Sequence, residues 1–203
     1  MIGICSNCGS HEWDKEVEND EIICPKCGNR WKFKKLPIFF LTGCSGIGKT
    51  TTGKELQKIA SDFVIIDADM FSNIMHPQNE DDYYHMIAQI YHLTKNINQS
   101  GKMVVWTMAG NIDKLYHTYG AKYFSKINVL ALTATAEEVR RRMQDGRKIE
   151  DADWIQGSVD YNEYFRTHNS LGDTRFKSLD CTNDTPEIVA EKVLEWLNLC
   201  CNK

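Results

Sequence analysis

In the stretch Ile38-Phe-Phe-Leu-Thr-Gly43-Cys-Ser-Gly-Ile-Gly48-Lys49-Thr50, a short apolar run leads straight into a glycine-rich turn. Residues 43–50 match the pattern G-x-x-x-x-G-K-[ST], with the sequence of a buried strand before them and of a helix after them. In such a loop the backbone N–H groups surround phosphate oxygens, and the following helix directs its positive end at the same anion. The stretch therefore predicts a strand, a phosphate-binding loop and a helix in that order.

The loop also predicts roles for single residues. We expect Lys49 to neutralise the β- and γ-phosphates of ATP, and the Thr50 hydroxyl to ligate a Mg²⁺ ion that bridges phosphate oxygens. ATP and Mg²⁺ are therefore the predicted cofactors. Thr51 is the weaker phosphate ligand in the predicted nucleotide-binding set, which is Gly43, Ser45, Gly46, Ile47, Gly48, Lys49, Thr50 and Thr51.

The rest of the chain alternates short apolar runs with helical stretches. The predicted strands are residues 38–41, 63–66, 103–106, 127–132 and 176–179. The predicted helices are residues 48–60, 82–99, 136–144, 154–167 and 186–199, with a short irregular or helical piece at 112–119. This alternation implies right-handed crossovers and a parallel sheet that is covered on both faces, which is an α/β fold of three layers.

Four of the eight cysteines form two C-x-x-C pairs near the start of the chain. Cys5 and Cys8 are separated by 15 residues from Cys24 and Cys27, a spacing typical of a four-cysteine zinc site. A segment of roughly 35 residues buries little apolar surface, so zinc would supply much of its folding free energy. The segment resembles zinc ribbons, and the alternative is four free or redox-active cysteines.

The composition changes near residues 35–37, where we place the boundary between a zinc ribbon (1–35) and a larger domain (36–203). The ribbon either braces that domain, contacts a protein or binds nucleic acid. The net charge of −4 argues against general nucleic-acid binding, although Lys32, Lys34 and Lys35 offer a local basic patch. We interpret the aromatic and imidazole side chains of the ribbon as packing residues: His11, Trp13, Trp31 and Phe33.

Two carboxylates follow the second predicted strand of the larger domain, in Ile65-Ile-Asp67-Ala-Asp69. Strand alternation would point both to the same side, at the carboxyl end of the strand and beside the phosphate-binding loop. One would hold the Mg²⁺ shell and the other the phosphoryl acceptor. The alternative is that Asp69 only caps a helix.

The order of strand, glycine-rich loop, helix and D-x-D strand end resembles the small P-loop kinases of the nucleoside monophosphate, shikimate, gluconate and polynucleotide kinase group. The resemblance implies a P-loop NTPase fold, with Asp69 as the base that binds the acceptor hydroxyl and Asp67 near the metal. It also implies that Glu137 to Arg147 forms a lid, in which Arg142 and Arg147 close over the transferred phosphate.

The segment Cys181 to Pro186 resembles the adenine-binding loop of the same kinases. An equal alternative is that Asp184 or Thr185 caps the last helix and Pro186 is its first residue. The strand 103–106 runs into Thr-Met-Ala-Gly without the basic residues of sugar-acid kinases, which disfavours gluconate. Aromatic residues near this strand, Tyr83, Tyr84, His85 and Trp106, are interpreted as core rather than as an acceptor pocket.

These observations favour an ATP-dependent kinase that phosphorylates a nucleoside or nucleotide. A 5′-hydroxyl polynucleotide kinase and an ATP-binding regulatory protein without acceptor turnover are the alternatives. No apolar run reaches the roughly 18 residues of a membrane helix, and the first residues do not resemble a signal peptide. We therefore expect a cytoplasmic protein without a membrane partner, and the oligomeric state stays open.

Overall fold

A computed structural model describes residues 2–12 and 15–201, and these begin with a small antiparallel sheet. Its strands are β1 (Glu16–Glu18), β2 (Glu21–Ile23) and β3 (Arg30–Lys32), paired in the order β1-β2-β3. One cysteine pair precedes β1 and the other joins β2 to β3. The ribbon strands were not predicted, because runs of three residues carry too little pattern to be recognised. Trp13 lies outside the described residues.

A parallel five-stranded sheet is the centre of the larger domain. Its first four strands are β4 (Ile38–Thr42), β5 (Phe63–Asp67), β6 (Met103–Thr107) and β7 (Ile127–Thr133). A hairpin of β8 (Ser170–Leu171) and β9 (Thr174–Arg175) then precedes the fifth strand of the sheet, β10 (Lys177–Asp180). The order across the sheet is β10-β7-β4-β6-β5, which puts β4 in the middle.

Six α-helices lie within the described residues of this domain, and all but the last precede a further strand. They are α1 (Lys49–Ile59), α2 (Asp69–Met75), α3 (Glu80–Asn98), α4 (Ala136–Arg141), α5 (Ala152–Thr167) and α6 (Pro186–Cys201). The five long helical stretches predicted from the sequence are confirmed, whereas α2 was not predicted. Residues 112–114 form a 3₁₀ helix inside the predicted irregular piece. Within the described ranges, no helix is both long enough and apolar enough to cross a lipid bilayer.

The two faces of the sheet bury alternate residues of the same strands. In β4, Phe39 and Leu41 pack with apolar residues of α1 and α6, while Ile38 and Phe40 pack with α3 on the other face. All four of these side chains are fully buried. Because strand side chains alternate between faces, one apolar run supplies both cores. The predicted three-layer parallel α/β fold is therefore confirmed.

The ribbon packs against the larger domain through aromatic and backbone contacts. The ring of Phe33 meets the edge of Tyr123 at a centroid distance of 6.0 Å, and Ile22 joins the same small core. The side chain of Gln99, which follows α3, accepts a hydrogen bond from the backbone N of Lys34 at 2.9 Å. It also donates one to the Lys34 carbonyl at 3.2 Å. Phe33 therefore packs, as interpreted from the sequence, whereas His11 is exposed.

Candidate functional site

The loop between β4 and α1 contains glycines at positions that other residues cannot occupy. Gly43 has φ 140°, and a Cβ there would lie 2.6 Å from the carbonyl oxygen of Leu132 on β7. Gly46 has φ 75°, and a Cβ there would lie 2.7 Å from Sδ of Met143. A side chain at either position would force neighbouring atoms to move, and it would also strain the backbone, whose φ is positive. The loop is thus held closely between the sheet and the segment after α4.

Lys49, the first residue of α1, directs its ammonium group back at this loop. Its Nζ donates to the carbonyl oxygens of Gly43 at 2.9 Å and Cys44 at 2.8 Å. Burial lowers the pKa of this lysine, and the nearby carboxylates of Asp67 and Asp69 oppose that change. Among the described residues no carboxylate lies within ion-pair distance of Lys49. An anion that reached the loop would therefore meet a cation whose charge no ion pair neutralises.

A hydroxyl and a carboxylate lie side by side next to the loop. Thr50 Oγ1 donates to Asp67 Oδ2 at 2.9 Å, and the other carboxylate oxygen of Asp67 accepts from the backbone N of Asp69 at 3.1 Å. A threonine hydroxyl and an aspartate oxygen are hard oxygen ligands of the kind that Mg²⁺ takes in nucleotide sites. The donor set at Thr50 and Asp67 fits a magnesium ion.

The structure corrects the expected geometry of the two carboxylates. The strand ends at Asp67, and Asp69 is the first residue of α2, so strand alternation does not place the two side chains. It is Asp67, rather than Asp69, that accepts a backbone N–H at the start of this helix. In the sheet, β6 lies between β5 and β4. Asp67 nevertheless reaches Thr50, and Asp69 is exposed beside it.

Arg142 joins three parts of the site. Its Nη1 donates to the carbonyl of Ile47 at 2.7 Å and its Nη2 to the carbonyl of Cys181 at 2.9 Å. Its Nε donates to the Glu138 carboxylate at 2.6 Å. Glu138 also accepts two hydrogen bonds from Arg141, and these, with the weaker contribution of Arg142, lower the pKa of Glu138 to about 2 against its desolvation. Arg142 therefore ties α4 to the phosphate loop and to residues 181–186.

Arg147 differs from Arg142 because its side chain is exposed. Its Nη1 donates to Ser45 Oγ at 2.6 Å, and its guanidinium carbon lies 5.8 Å from the ring centre of Trp154. The helix predicted for 136–144 changes at Arg142 into a wider turn that ends at Gly146 and carries Arg147 over the loop. Both predicted lid arginines thus contact the phosphate loop.

A cleft of about 620 Å³ opens between these elements. The phosphate loop forms one side of the cleft. Arg141, Arg142 and Arg147 form the second side, and the segment 181–186 forms the third. Pro186 begins α6, in agreement with its expected place as first helical residue, and the same segment borders the cleft, so the two sequence interpretations are compatible. The lining residues of the loop and of this segment are Gly46, Ile47, Gly48, Thr51, Thr52, Cys181, Thr182, Asn183, Asp184, Thr185 and Pro186.

Some polar residues near the site were not recognised in the sequence. The hydroxyls of Thr42 and Thr107, at the carboxyl ends of β4 and β6, are buried without hydrogen-bond partners. A polar residue that closes an apolar strand is the signal that could have found them. Asn162 of α5 was also missed: its amide accepts from the N of Ala134 at 3.0 Å and donates to its O at 2.8 Å. Trp106 is core as interpreted, since it is fully buried and its Nε1 donates to the Thr94 hydroxyl at 2.8 Å. Tyr83 and Tyr84 are only partly buried and His85 is exposed, so the interpretation as core is wrong for His85.

The four ribbon cysteines come together at a distance from this cleft. All four sulfur atoms lie within 4.8 Å of one another, with Cys5 and Cys27 at 3.7 Å and Cys8 and Cys24 at 3.6 Å. The two turns have the same backbone bonds, from Gly9 N to Cys5 O and from Gly28 N to Cys24 O, both at 2.9 Å. Zn–S bonds of about 2.3 Å in a tetrahedron separate the sulfurs by about 3.8 Å, which these distances match.

Comparisons with known proteins agree with this geometry. The family model described as AAA domain matches residues 39–166, more than half of the chain. A sugar kinase from Janibacter sp. HTCC2649 superposes with a TM-score of 0.57 at 20% identity, covering 80% of this chain and 95% of that one. A gluconokinase from Sinorhizobium meliloti 1021 gives 0.57 at 14% identity, covering 84% and 96%. No curated protein matches significantly.

A third solved structure, the shikimate kinase from Acinetobacter baumannii in complex with shikimate, superposes with a TM-score of 0.52 at 18% identity. It covers 84% of this chain and 98% of the other. The fold and the site define a P-loop protein with the architecture of small-molecule kinases, as the sequence resemblance implied. The chain belongs to the AAA domain family.

Proposed function

We propose that the protein is an ATP-dependent kinase that transfers the γ-phosphoryl group to a hydroxyl of a nucleoside or nucleotide. The observation that carries the proposal is the placement of Lys49, without an ion-pair partner, next to the Thr50–Asp67 pair and the cleft bounded by Arg142 and Arg147. Charge of this kind is what the transferred phosphoryl group requires, since its catalysis is mainly positioning and electrostatic stabilisation.

The proposed roles follow from where each side chain lies. Thr50 and Asp67 would hold Mg²⁺, which shields phosphate charge when bound. The adenine ring would enter the cleft at residues 181–186, and the triphosphate would run along the loop to Lys49. Asp69 is exposed beside Asp67 and would accept the proton of the attacking hydroxyl. Arg147 would move from the Ser45 hydroxyl to the transferred phosphate, because an exposed guanidinium is readily re-aimed.

The charged residues that follow β6 support an acceptor molecule that carries no carboxylate. Lys114 is the one basic residue in the described segment 107–114, and Glu80 at 2.9 Å and Asp113 at 3.2 Å already pair with it. A ligand carboxylate next to Lys114 would find its counter-ion occupied. Sugar acids and nucleosides both offer a hydroxyl as acceptor, so the carboxylate is what distinguishes them, and this arrangement favours the nucleoside.

Ribbon charges bear on the alternative of a polynucleotide substrate. Arg30 donates to Glu18 and, at 3.0 Å, to Glu21, while Lys32 lies 3.5 Å from Asp20. Lys34 and Lys35 of the predicted basic patch form no ion pair within the described residues. The polynucleotide kinase is therefore kept as the second candidate, and the assay below includes a 5′-hydroxyl oligonucleotide.

An ADP-release assay with ATP and Mg²⁺ tests the proposal. The acceptors are nucleosides, nucleoside monophosphates, a 5′-hydroxyl oligonucleotide and gluconate. We expect acceptor-dependent release with a nucleoside or nucleotide, which Lys49→Ala reduces by at least about a hundredfold. Asp69→Asn should keep ATP binding but lose acceptor-dependent release. Turnover like wild type in Lys49→Ala would contradict the proposed phosphate site, and ATP binding without any acceptor response would favour the regulatory alternative.

We also propose that Cys5, Cys8, Cys24 and Cys27 bind one Zn²⁺ ion structurally. Four thiolates would close the tetrahedral shell and leave no position for a substrate. The site would therefore hold the ribbon together rather than take part in phosphoryl transfer.

A further inference from the structure

A second cleft, of about 500 Å³, lies at the amino ends of the sheet strands, on the side opposite to the phosphate loop. It is bordered by residues 127–129 at the amino end of β7 and by Lys177, the first residue of β10, whereas the phosphate loop follows the carboxyl end of β4. Because these strands are parallel, their amino ends all lie on one side of the sheet and their carboxyl ends on the opposite side. The two clefts share no lining residue, so this one is outside the proposed nucleotide site.

Positive charge surrounds this second cleft. Lys126, Arg175 and Lys177 line it with exposed side chains, and none of the three forms an ion pair within the described part of the chain. The acidic residue on the rim is Asp173, whose carboxylate lies 2.8 Å from His117 Nε2. Three cations against one carboxylate leave the cleft with a net positive charge, and a concave surface of net charge concentrates ligands of the opposite sign. The cleft therefore favours an anion.

The walls of the cleft add an aromatic surface and a buried donor. Tyr116, which is 47% exposed, offers an open ring to the cleft, while Phe176 and Trp196, at 6% and 8%, present only a small part of theirs. Asn128 also lines it with 6% exposure, and its Nδ2 has no hydrogen-bond partner. Buried amide groups in folded proteins nearly always have a partner. An oxygen of a ligand that reached Asn128 would supply the missing acceptor.

We propose that this cleft binds a small organic anion with a planar, apolar body. Carboxylate or phosphate oxygens would meet Lys126, Arg175 and Lys177, and the planar body would pack against the aromatic walls. An arginine among the cations suits both headgroups, since its planar guanidinium matches carboxylate and phosphate oxygens in pairs. The inference does not depend on the kinase proposal, because it uses none of the residues of the first cleft.

The test uses the full chain with Lys49→Ala, so that binding at the phosphate loop is suppressed. Phenyl phosphate, benzoate and inorganic phosphate are titrated separately by calorimetry at constant ionic strength. We expect saturable binding of one ring-bearing anion per chain, at least about tenfold tighter than inorganic phosphate. The tighter of phenyl phosphate and benzoate identifies the preferred headgroup.

Variants then locate the binding. Arg175→Ala/Lys177→Ala should weaken the ring-bearing anion at least about tenfold, and Lys126→Ala alone should also weaken it. The charge-matched control Lys54→Ala/Lys102→Ala, with lysines outside the cleft, should stay within about twofold of the parent protein. Absence of saturable binding, equal affinity for inorganic phosphate, or equal weakening by the control pair would each overturn the proposal.

Discussion

Arg142 and Arg147 are five residues apart, yet their contacts give them different tasks. Arg142 joins Glu138, Ile47 and Cys181 and is half-buried, so its replacement by alanine removes three charged hydrogen bonds. We expect Arg142→Ala to cost about 2–4 kcal/mol of unfolding free energy and to lower Tm by roughly 5–15 °C. Arg147→Ala should keep stability within about 1 kcal/mol and lower kcat by about a hundredfold.

Thermal unfolding and the ADP-release assay distinguish the two arginines. Loss of stability in Arg147→Ala, or an unchanged Tm in Arg142→Ala, would reverse the assignment. Lysine at position 142 is a further control, because it keeps the charge but cannot make the same three bonds. We expect Arg142→Lys to recover only part of the lost stability.

Glu138 makes the stability of this region depend on pH. Its pKa in the folded chain is about 2, lowered mainly by the hydrogen bonds from Arg141, so the unfolded chain binds the proton more readily. A group with a depressed pKa stabilises the fold above its unfolded pKa, near 4.3, and this contribution disappears as the pH falls towards 2. We expect the difference in unfolding free energy between wild type and Glu138→Gln to shrink between pH 5 and pH 2. Urea unfolding across this range measures it, and a constant difference would exclude the ion pair as the cause.

At the scale of elements, residues could be assigned to strands and helices wherever apolar runs were long. The run in β4 and the glycine motif after it predicted the strand, the loop and helix α1 correctly. The missed helix α2 has only seven residues, and it follows the strand after one intervening residue, so Asp69 was read as part of that strand. Strand order was not accessible either, because it depends on which strands pair across long stretches of chain. Contacts of Arg142 with two distant carbonyls lie beyond any local pattern for the same reason.

Helix α5 stabilises the turn between β7 and α4 through hydrogen bonds. Its Asn162 is fully buried, and the side-chain amide makes hydrogen bonds to both the backbone N and the backbone O of Ala134. Asn162→Leu would leave the buried Ala134 N–H without an acceptor, so we expect a loss of about 2–3 kcal/mol. Asn96→Leu is the matched control: Asn96 is an exposed asparagine of α3, and its loss should cost less than about 0.5 kcal/mol. Urea unfolding of both variants measures the difference, and equal costs would contradict the bridging role of Asn162.

For the molecule as a whole, the described residues of the ribbon contact the larger domain by side-chain packing and by hydrogen bonds. Phe33 and Tyr123 pack together, Lys34 bonds to Gln99, and no described ribbon residue lines the first cleft. Among the described residues the ribbon core is small, with Ile2, Ile22 and Phe33 buried and Val17 and Trp31 packed against them, so we expect its order to depend on the metal. The larger domain has its own two-sided core and should stay folded without the ribbon.

Loss of the metal tests whether zinc stabilises the ribbon and leaves the larger domain unaffected. We expect about one zinc per chain by atomic spectroscopy, lost in Cys24→Ser and retained in Cys201→Ser, an exposed cysteine outside the cluster. The Cys24→Ser protein should become sensitive to protease within residues 2–35, because four thiolates with metal supply most of the folding free energy there. Its ATP affinity should stay within about threefold of wild type, since the nucleotide cleft is built from residues of the larger domain alone. A metal-free chain with a protease-resistant ribbon would contradict the zinc site, whereas loss of ATP binding in Cys24→Ser would mean that the contact at Tyr123 braces the nucleotide site across the domain.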